Sequence, residues 1–405
     1  MMTAERIPGV RLASSAHLQW PQAPIRGMPA VTISQQPKYS VGIIGCGRKG
    51  TQTARSYARH PLTTVVAAAD PDPDNLALFC ERFQVPGFRG YEEMLANEQI
   101  DIAAPILPVS ENPAVVLGCA RAGVRAISCE KPMSASLAEA DKMVEACAAR
   151  GIKFGVGDLD RNLPHYQEAA RLLASGELGE VVSIAALDGS GHEMSGGGIQ
   201  RYSLMRLFAG DGEVEWVTGW VTDDPTSDND QGGAGHVRFA NGIEGLIHRQ
   251  PSARQGYEVL CSRGVFVSDN AHVHAWKLAD EADRPSADAL RPVEGVLPGT
   301  HVYRGRTARD AEGWRIMPRQ DATTQSMVDA LEQDIEPRAN GDNGRKALEL
   351  AIAIRESHRR GHTPVRLPLE DRNLKIIPGP GRWGNKKEVY GSEWYAEQIG
   401  DAVRR

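Results

Sequence analysis

The sequence predicts an α/β protein: a doubly wound parallel sheet in the first half, then a second α/β domain built on a mostly antiparallel sheet. Two changes of grammar along the chain carry this. From Tyr39 to Gly157, five short strand-like runs (VGIIG, TTVVAAAD, DIAAPIL, VRAISC, IKFGV) are separated by helical stretches. Parallel strands need such crossovers, and the crossovers wind with one hand. After Gly157 the pattern switches to consecutive strand-like runs, VVSIAAL through HVHAWKL, joined by turns such as Ala240-Asn241-Gly242. Short connections of that kind make antiparallel neighbours.

Taken in order, residues 1–38 are Pro-, Ser- and Gln-rich and read as a flexible arm. Residues 39–157 make the parallel-sheet domain, with helices ending near Arg59 and Phe83 and spanning about Ala114–Ala122 and Ser136–Arg150. Residues 158–369 make the second domain, opening with a helix over Tyr166–Ala174 and closing with helices within 323–359. Residues 370–405, including the Pro/Gly-rich run IIPGPGRWG, read as an extended arm.

Composition narrows the function classes. The chain has 405 residues, 41% hydrophobic and 24% charged, with net charge −6. That balance is an ordinary globular one. The basic clusters are short, so no stripe exists to neutralise many phosphates, and nucleic acid is not an expected partner. No run approaches the roughly 20 apolar residues of a membrane span. The six cysteines have no metal-ligand or redox spacing and mostly lie in apolar runs, which predicts reduced, structural thiols in a cytoplasmic protein.

The strand VGIIG runs into Gly45-Cys46-Gly47-Arg48-Lys49-Gly50, a G-x-G-x-x-G turn followed by a helix-compatible run. The three glycines serve, in order, a tight turn, close approach of backbone to pyrophosphate, and close packing of helix on strand. The helix N-terminus then faces the anion. Asp70 ends the second strand, 20 residues beyond Gly50. A carboxylate there accepts both adenosine ribose hydroxyls and repels a 2′-phosphate, so the expected cofactor is NAD rather than NADP. Arg48 and Lys49 can reach a phosphate and soften that preference.

Cys129-Glu130-Lys131-Pro132 closes the strand VRAISC. The carboxyl ends of parallel strands open on the ligand crevice, which sets Lys131 beside the nicotinamide. Oxidation of a carbinol needs a group that takes the hydroxyl proton, and a partly desolvated lysine suits that.

Together, GCGRKG, Asp70, YEEML, Pro108 in LPVSENP, the EKP of Glu130–Pro132, ASGELGEV and NGRKALELAIAIRESHRRGHTPVRLPL resemble the glucose-fructose oxidoreductase / inositol dehydrogenase / rhizopine-catabolism (Gfo/Idh/MocA) family, over about Tyr39–Leu369. The resemblance implies a Rossmann domain followed by a domain with a large open-faced sheet, and homo-oligomers, dimers or tetramers, that pack through that sheet. It implies Pro108 and Glu130 at the cofactor, with Glu130 at the nicotinamide end, Lys131 on the reacting hydroxyl, and a sugar, glycoside or cyclitol as substrate.

The chain departs from the family's pattern in its second half. An Asp and a His four residues apart usually begin a helix there; aligned through SLMRLFAGD, Gly196 and Gln200 stand in their places. A glutamine exchanges no proton near neutral pH. His192, in the upstream glycine-rich loop, is the nearby group that titrates near pH 7, with a solvated loop histidine as its ordinary alternative. Asp158, Asp160, Arg161 and Asn162 offer carboxylates, a guanidinium and an amide to a hydroxyl-rich ligand; the competing expectation is a salt-bridged turn between domains. His272-x-His274 lacks a third ligand at suitable spacing, so no metal site is expected. The expected function is NAD-dependent oxidation or reduction at a secondary hydroxyl. Two alternatives stay open: transient oxidation by tightly bound NAD in a net elimination, hydrolysis or epimerisation, and a non-catalytic dinucleotide sensor.

Overall fold

A computed structural model describes residues 37–157, 159–187, 193–222, 224–248, 255–268, 273–279, 289–294 and 319–397. The residues expected as a flexible arm lie outside this set up to position 36.

The first half alternates as its sequence predicts: β1 (Tyr39–Ile44), α1 (Arg48–Arg59), β2 (Thr63–Ala69), α2 (Pro73–Phe83), β3 (Gly87–Phe88), α3 (Tyr91–Asn97), β4 (Ile102–Pro105), α4 (Asn112–Ala122), β5 (Ala126–Glu130), α5 (Leu137–Ala148) and β6 (Lys153–Gly157). The strands form one parallel sheet ordered 3-2-1-4-5-6. This is the doubly wound dinucleotide-binding order, whose switch point falls between β1 and β4. It has six strands where the sequence predicts five, because the two-residue β3 is too short to register as an apolar run.

The second half follows with α6 (Pro164–Ala174), β7 (Val181–Leu187), a π-helical turn at Met194–Gly198, α7 (Ile199–Phe208), β8 (Val214–Val221), β9 (Gly233–Phe239), β10 (Glu244–His248), β11 (Gly256–Cys261), β12 (Gly264–Ser268), β13 (Val273–Leu278), β14 (Leu290–Pro292), α8 (Arg319–Gln333), α9 (Gly341–Arg359) and β15 (Val365–Arg366). Its nine strands run 14-13-12-11-7-10-9-8-15. Among the described residues only the β7–β10 pair of this sheet is parallel, so it is mixed and mostly antiparallel.

Strand alternation gives this sheet two faces. Ile184, Val217, Val237, Phe239, Tyr257, Val259 and Phe266 are buried on the inner face, against a core that includes the apolar run Leu350–Ile354 of α9. Each such Ile, Leu or Phe contributes roughly 2 kcal/mol by leaving water. Gly219 lets α9 lie close: a Cβ there would meet Ile354 Cγ2 at 2.8 Å. The outer face carries Trp220, Leu246 and Leu260, which are 50%, 41% and 51% exposed.

Two elements differ from expectation. Helix α8 starts at Arg319, and it packs against the first half rather than only closing the second: Met327 and Val328 join the core cluster of Val41, Ile43 and Tyr57, and Ser56 Oγ meets Thr324 Oγ1 at 2.8 Å. The C-terminal segment is not extended throughout. It forms α10 (Pro380–Trp383), with proline in its first turn, and α11 (Lys386–Tyr390), whose Asn385 side chain caps Lys387 N.

Candidate active site

The glycine turn has the backbone its sequence demands. Gly45 sits at φ 97°, in the left-handed region, and a Cβ there would meet Ile106 O at 2.5 Å. A Cβ on Gly50 would fall 1.8 Å from Gly45 O, so only glycine lets α1 pack this closely on the end of β1. Gly47 caps α1, and no acidic residue occupies the helix's first turn, where Arg48 and Lys49 lie. The free N–H groups and the dipole there favour an anion.

Asp70 is 7% exposed at the end of β2. Its carboxylate accepts from Cys46 N at 2.6 Å and Asp72 N at 2.8 Å, tying the β2 end to the glycine turn. Burial pushes its carboxyl above the usual range, while those two hydrogen bonds oppose the shift. The cradle of absent Cβ atoms, the helix terminus free of acids and the carboxylate at the β2 end all fit a dinucleotide.

Beyond β4, half-buried Pro108 lies in the loop that begins with Ile106 N donating to Ile44 O at 2.8 Å. At the end of β5, the buried Asn112 amide donates to Pro132 O at 3.2 Å and Glu130 O at 3.4 Å, which fixes the Glu130-Lys131-Pro132 backbone. The Lys131–Pro132 peptide is cis. Lys131 Nζ reaches across to donate to Gly196 O at 3.4 Å. Gly196 belongs to the π-helical turn, which is anchored by half-buried Asp230: that carboxylate accepts from Ser195 N at 2.5 Å, Ser195 Oγ at 2.6 Å and Met194 N at 2.8 Å. The strand-end lysine and the glycine-rich loop of the second half thus face each other.

The described residues expected to meet substrate have partners within the protein. Gln200, buried in the first turn of α7, accepts from Asp160 N at 2.8 Å through its Oε1. Asp160 pairs with Arg319. Arg161, 3% exposed, forks onto Asp211 at 2.6 and 3.1 Å and donates to Ser203 O at 3.3 Å. Asn162 Nδ2 donates to Thr323 Oγ1 at 3.2 Å. These contacts join the 3₁₀ turn Asp160–Asn162 to α7 and α8, which is what a salt-bridged junction looks like. Asp158 and His192, expected as substrate and acid/base residues, lie outside the described residues, as does His272. Among the described residues no three His, Cys, Asp or Glu side chains gather as metal ligands. The six cysteines are free.

Sequence reasoning missed the C-terminal segment. Val109 N donates to Arg382 O at 2.9 Å, and Ser110 Oγ to Trp383 O at 2.8 Å. Lys387 Nζ meets Asp72 at 2.8 Å, and Asn75 Nδ2 donates to Tyr395 OH at 2.9 Å. Glu193 accepts from Gly379 N at 2.5 Å and pairs with Arg382 at 2.7 Å. The one sequence signal was the pairing of basic and aromatic residues, Arg382-Trp383, Lys386-Lys387 and Trp394-Tyr395, in an otherwise polar tail.

Residues 39–158 match the family model described as "Oxidoreductase family, NAD-binding Rossmann fold", that of Gfo/Idh/MocA. These residues, about 30% of the chain, thus match the Rossmann domain of that oxidoreductase family. Its first half is accordingly an NAD-binding Rossmann domain. The chain is similar to myo-inositol 2-dehydrogenase of Thermotoga maritima, 28% identical over 274 residues that cover 61% of this chain and 80% of that protein. It is also similar to D-apiose dehydrogenase of Paraburkholderia graminis, at 28% identity over 37% of this chain and 40% of that protein. In fold it resembles levoglucosan dehydrogenase solved with NADH and levoglucosan, at a TM-score of 0.66 and 18% identity, covering 82% of this chain and all of that one.

Proposed function

We propose that this protein oxidises a secondary hydroxyl, or reduces the matching ketone, of a sugar, glycoside or cyclitol. The observation that carries the reading is Lys131 Nζ at the carboxyl end of β5, reaching the Gly196 carbonyl across from the NAD-binding turn. The dehydrogenases similar to this chain are named for inositol and apiose, which supports a polyhydroxylated substrate. Bound NAD supplies the hydride acceptor. As the carbinol C–H bond breaks, the hydroxyl proton passes to the Lys131 amine, whose backbone is held by Asn112. Gln200 cannot take part in that transfer, having no titratable proton, and it serves to hold the Asp160 turn beneath the site.

Turnover of Lys131→Met with a panel of sugars and cyclitols tests this. The variant should bind NAD as the wild type does and lose roughly 100-fold or more in kcat, the contribution of a positioned acid/base group. Unaltered turnover would overturn the role. Product released with no net NADH would instead favour transient oxidation in a redox-neutral reaction.

The exposed Trp220, Leu246 and Leu260 on the outer face of the large sheet support homo-oligomerisation through that face. The six free thiols support a reducing, cytoplasmic setting.

A further inference from the structure

We propose that residues 379–397 form a strap that plugs the dinucleotide crevice, with Tyr395 in the space that adenosine ribose and pyrophosphate need, so that the seated tail and NAD exclude each other. The inference rests on the NAD-binding assignment of the first domain.

The decisive contact is at the glycine turn. The second glycine of G-x-G-x-x-G exists so that phosphate can approach bare backbone. Over Gly47 that approach is taken: the Tyr395 hydroxyl lies 3.0 Å from where a Cβ would stand. The same hydroxyl accepts from Asn75 Nδ2 at 2.9 Å in the first turn of α2. Lys387 meets the carboxylates of Asp72 and Asp74 at 2.8 and 3.3 Å, at the β2 corner where Asp70 awaits ribose hydroxyls. A hydroxyl and a cation from the tail thus satisfy the polar rim that a nucleoside would meet. Burial, followed by the hydrogen bond from Asn75 that opposes it and the charges of Asp70 and Asp72 that add to it, leaves the phenol harder to ionise than usual, so it stays neutral in this acidic corner.

The strap touches the crevice at the loops after β1, β2 and β4. Besides the glycine turn and the β2 corner, its α10 backbone carbonyls accept from Val109 and Ser110 after β4. Its root is held by Glu193, three residues before the Gly196 that Lys131 touches. These anchors are hydrogen bonds and ion pairs at partly exposed sites, and such contacts open at low cost compared with a buried apolar core.

Hydrogen–deuterium exchange on the full chain, with and without NAD, tests the plug without any substitution. Amides of residues 386–397 should exchange faster when NAD is added; slower or unchanged exchange overturns the proposal. A second arm measures NAD affinity by calorimetry for the wild type and for Tyr395→Ala. The variant should bind about tenfold more tightly, the factor recovered when a tenth of molecules were open before. Equal affinity overturns the plug, and weaker binding does so by making Tyr395 a wall of the site. NAD binding to neither chain would contradict the dinucleotide assignment, and the plug with it.

Discussion

Gly50 and Asp70 bring the cofactor site down to single atoms. A methyl group at Gly50 would collide with Gly45 O at 1.8 Å, so Gly50→Ala must push α1 off β1. We expect a loss of about 3 kcal/mol in urea unfolding, typical of an overpacked site, together with weakened NAD binding. Asp70 sets cofactor choice by charge. Asp70→Ser removes a carboxylate that repels a 2′-phosphate, and the ratio of kcat/KM for NADP over NAD should rise about tenfold, the equivalent of about 1.4 kcal/mol. These residues were legible because their motif is local: strand, turn and helix lie within a few residues, and the required backbone is written in glycine. Tyr395 was not legible. It meets Asn75 across 320 positions of sequence, and no local pattern announces a contact of that range.

At the scale of elements, the apolar runs and their breaks located the long helices and the longer strands of both sheets, because each must bury one face, whereas β3, β14 and β15, two or three residues long, left no such run. What could not be read was the use of polar residues at the junction. Asp160, Arg161 and Asn162 have the chemistry to bind hydroxyls and equally the chemistry to lock a turn; Arg319, Asp211 and Thr323 engage them, which favours the lock. Arg161→Met should therefore lower stability by about 2 kcal/mol, at the modest end because Asp211 remains partly in water. Substrate KM should hardly change, whereas a large rise in KM at unchanged stability would mark Arg161 as a substrate ligand. The π-helical turn at Met194–Gly198 was equally silent in sequence, since its anchor, Asp230, arrives more than 30 residues later.

For the whole molecule, the switch from alternating elements to consecutive strands was enough to foresee two sheets of different character. It could not foresee that α8 returns to the Rossmann half, or that the tail folds back across the crevice. Both depend on contacts closed over long loops. The large sheet leaves Trp220, Leu246 and Leu260 on its open face, and Trp220→Glu should shift the protein toward monomer in sedimentation velocity while leaving NAD binding intact. Beyond assembly, the proposed activity turns on hydride chemistry centred on Lys131 beside an NAD site. The most direct measurement incubates the wild type with NAD and a panel of cyclitols and sugars, following reduced nicotinamide and ketone product together. The two should accumulate in equal amounts with at least one polyol; NAD binding with no reduction across the panel would contradict the dehydrogenase reading.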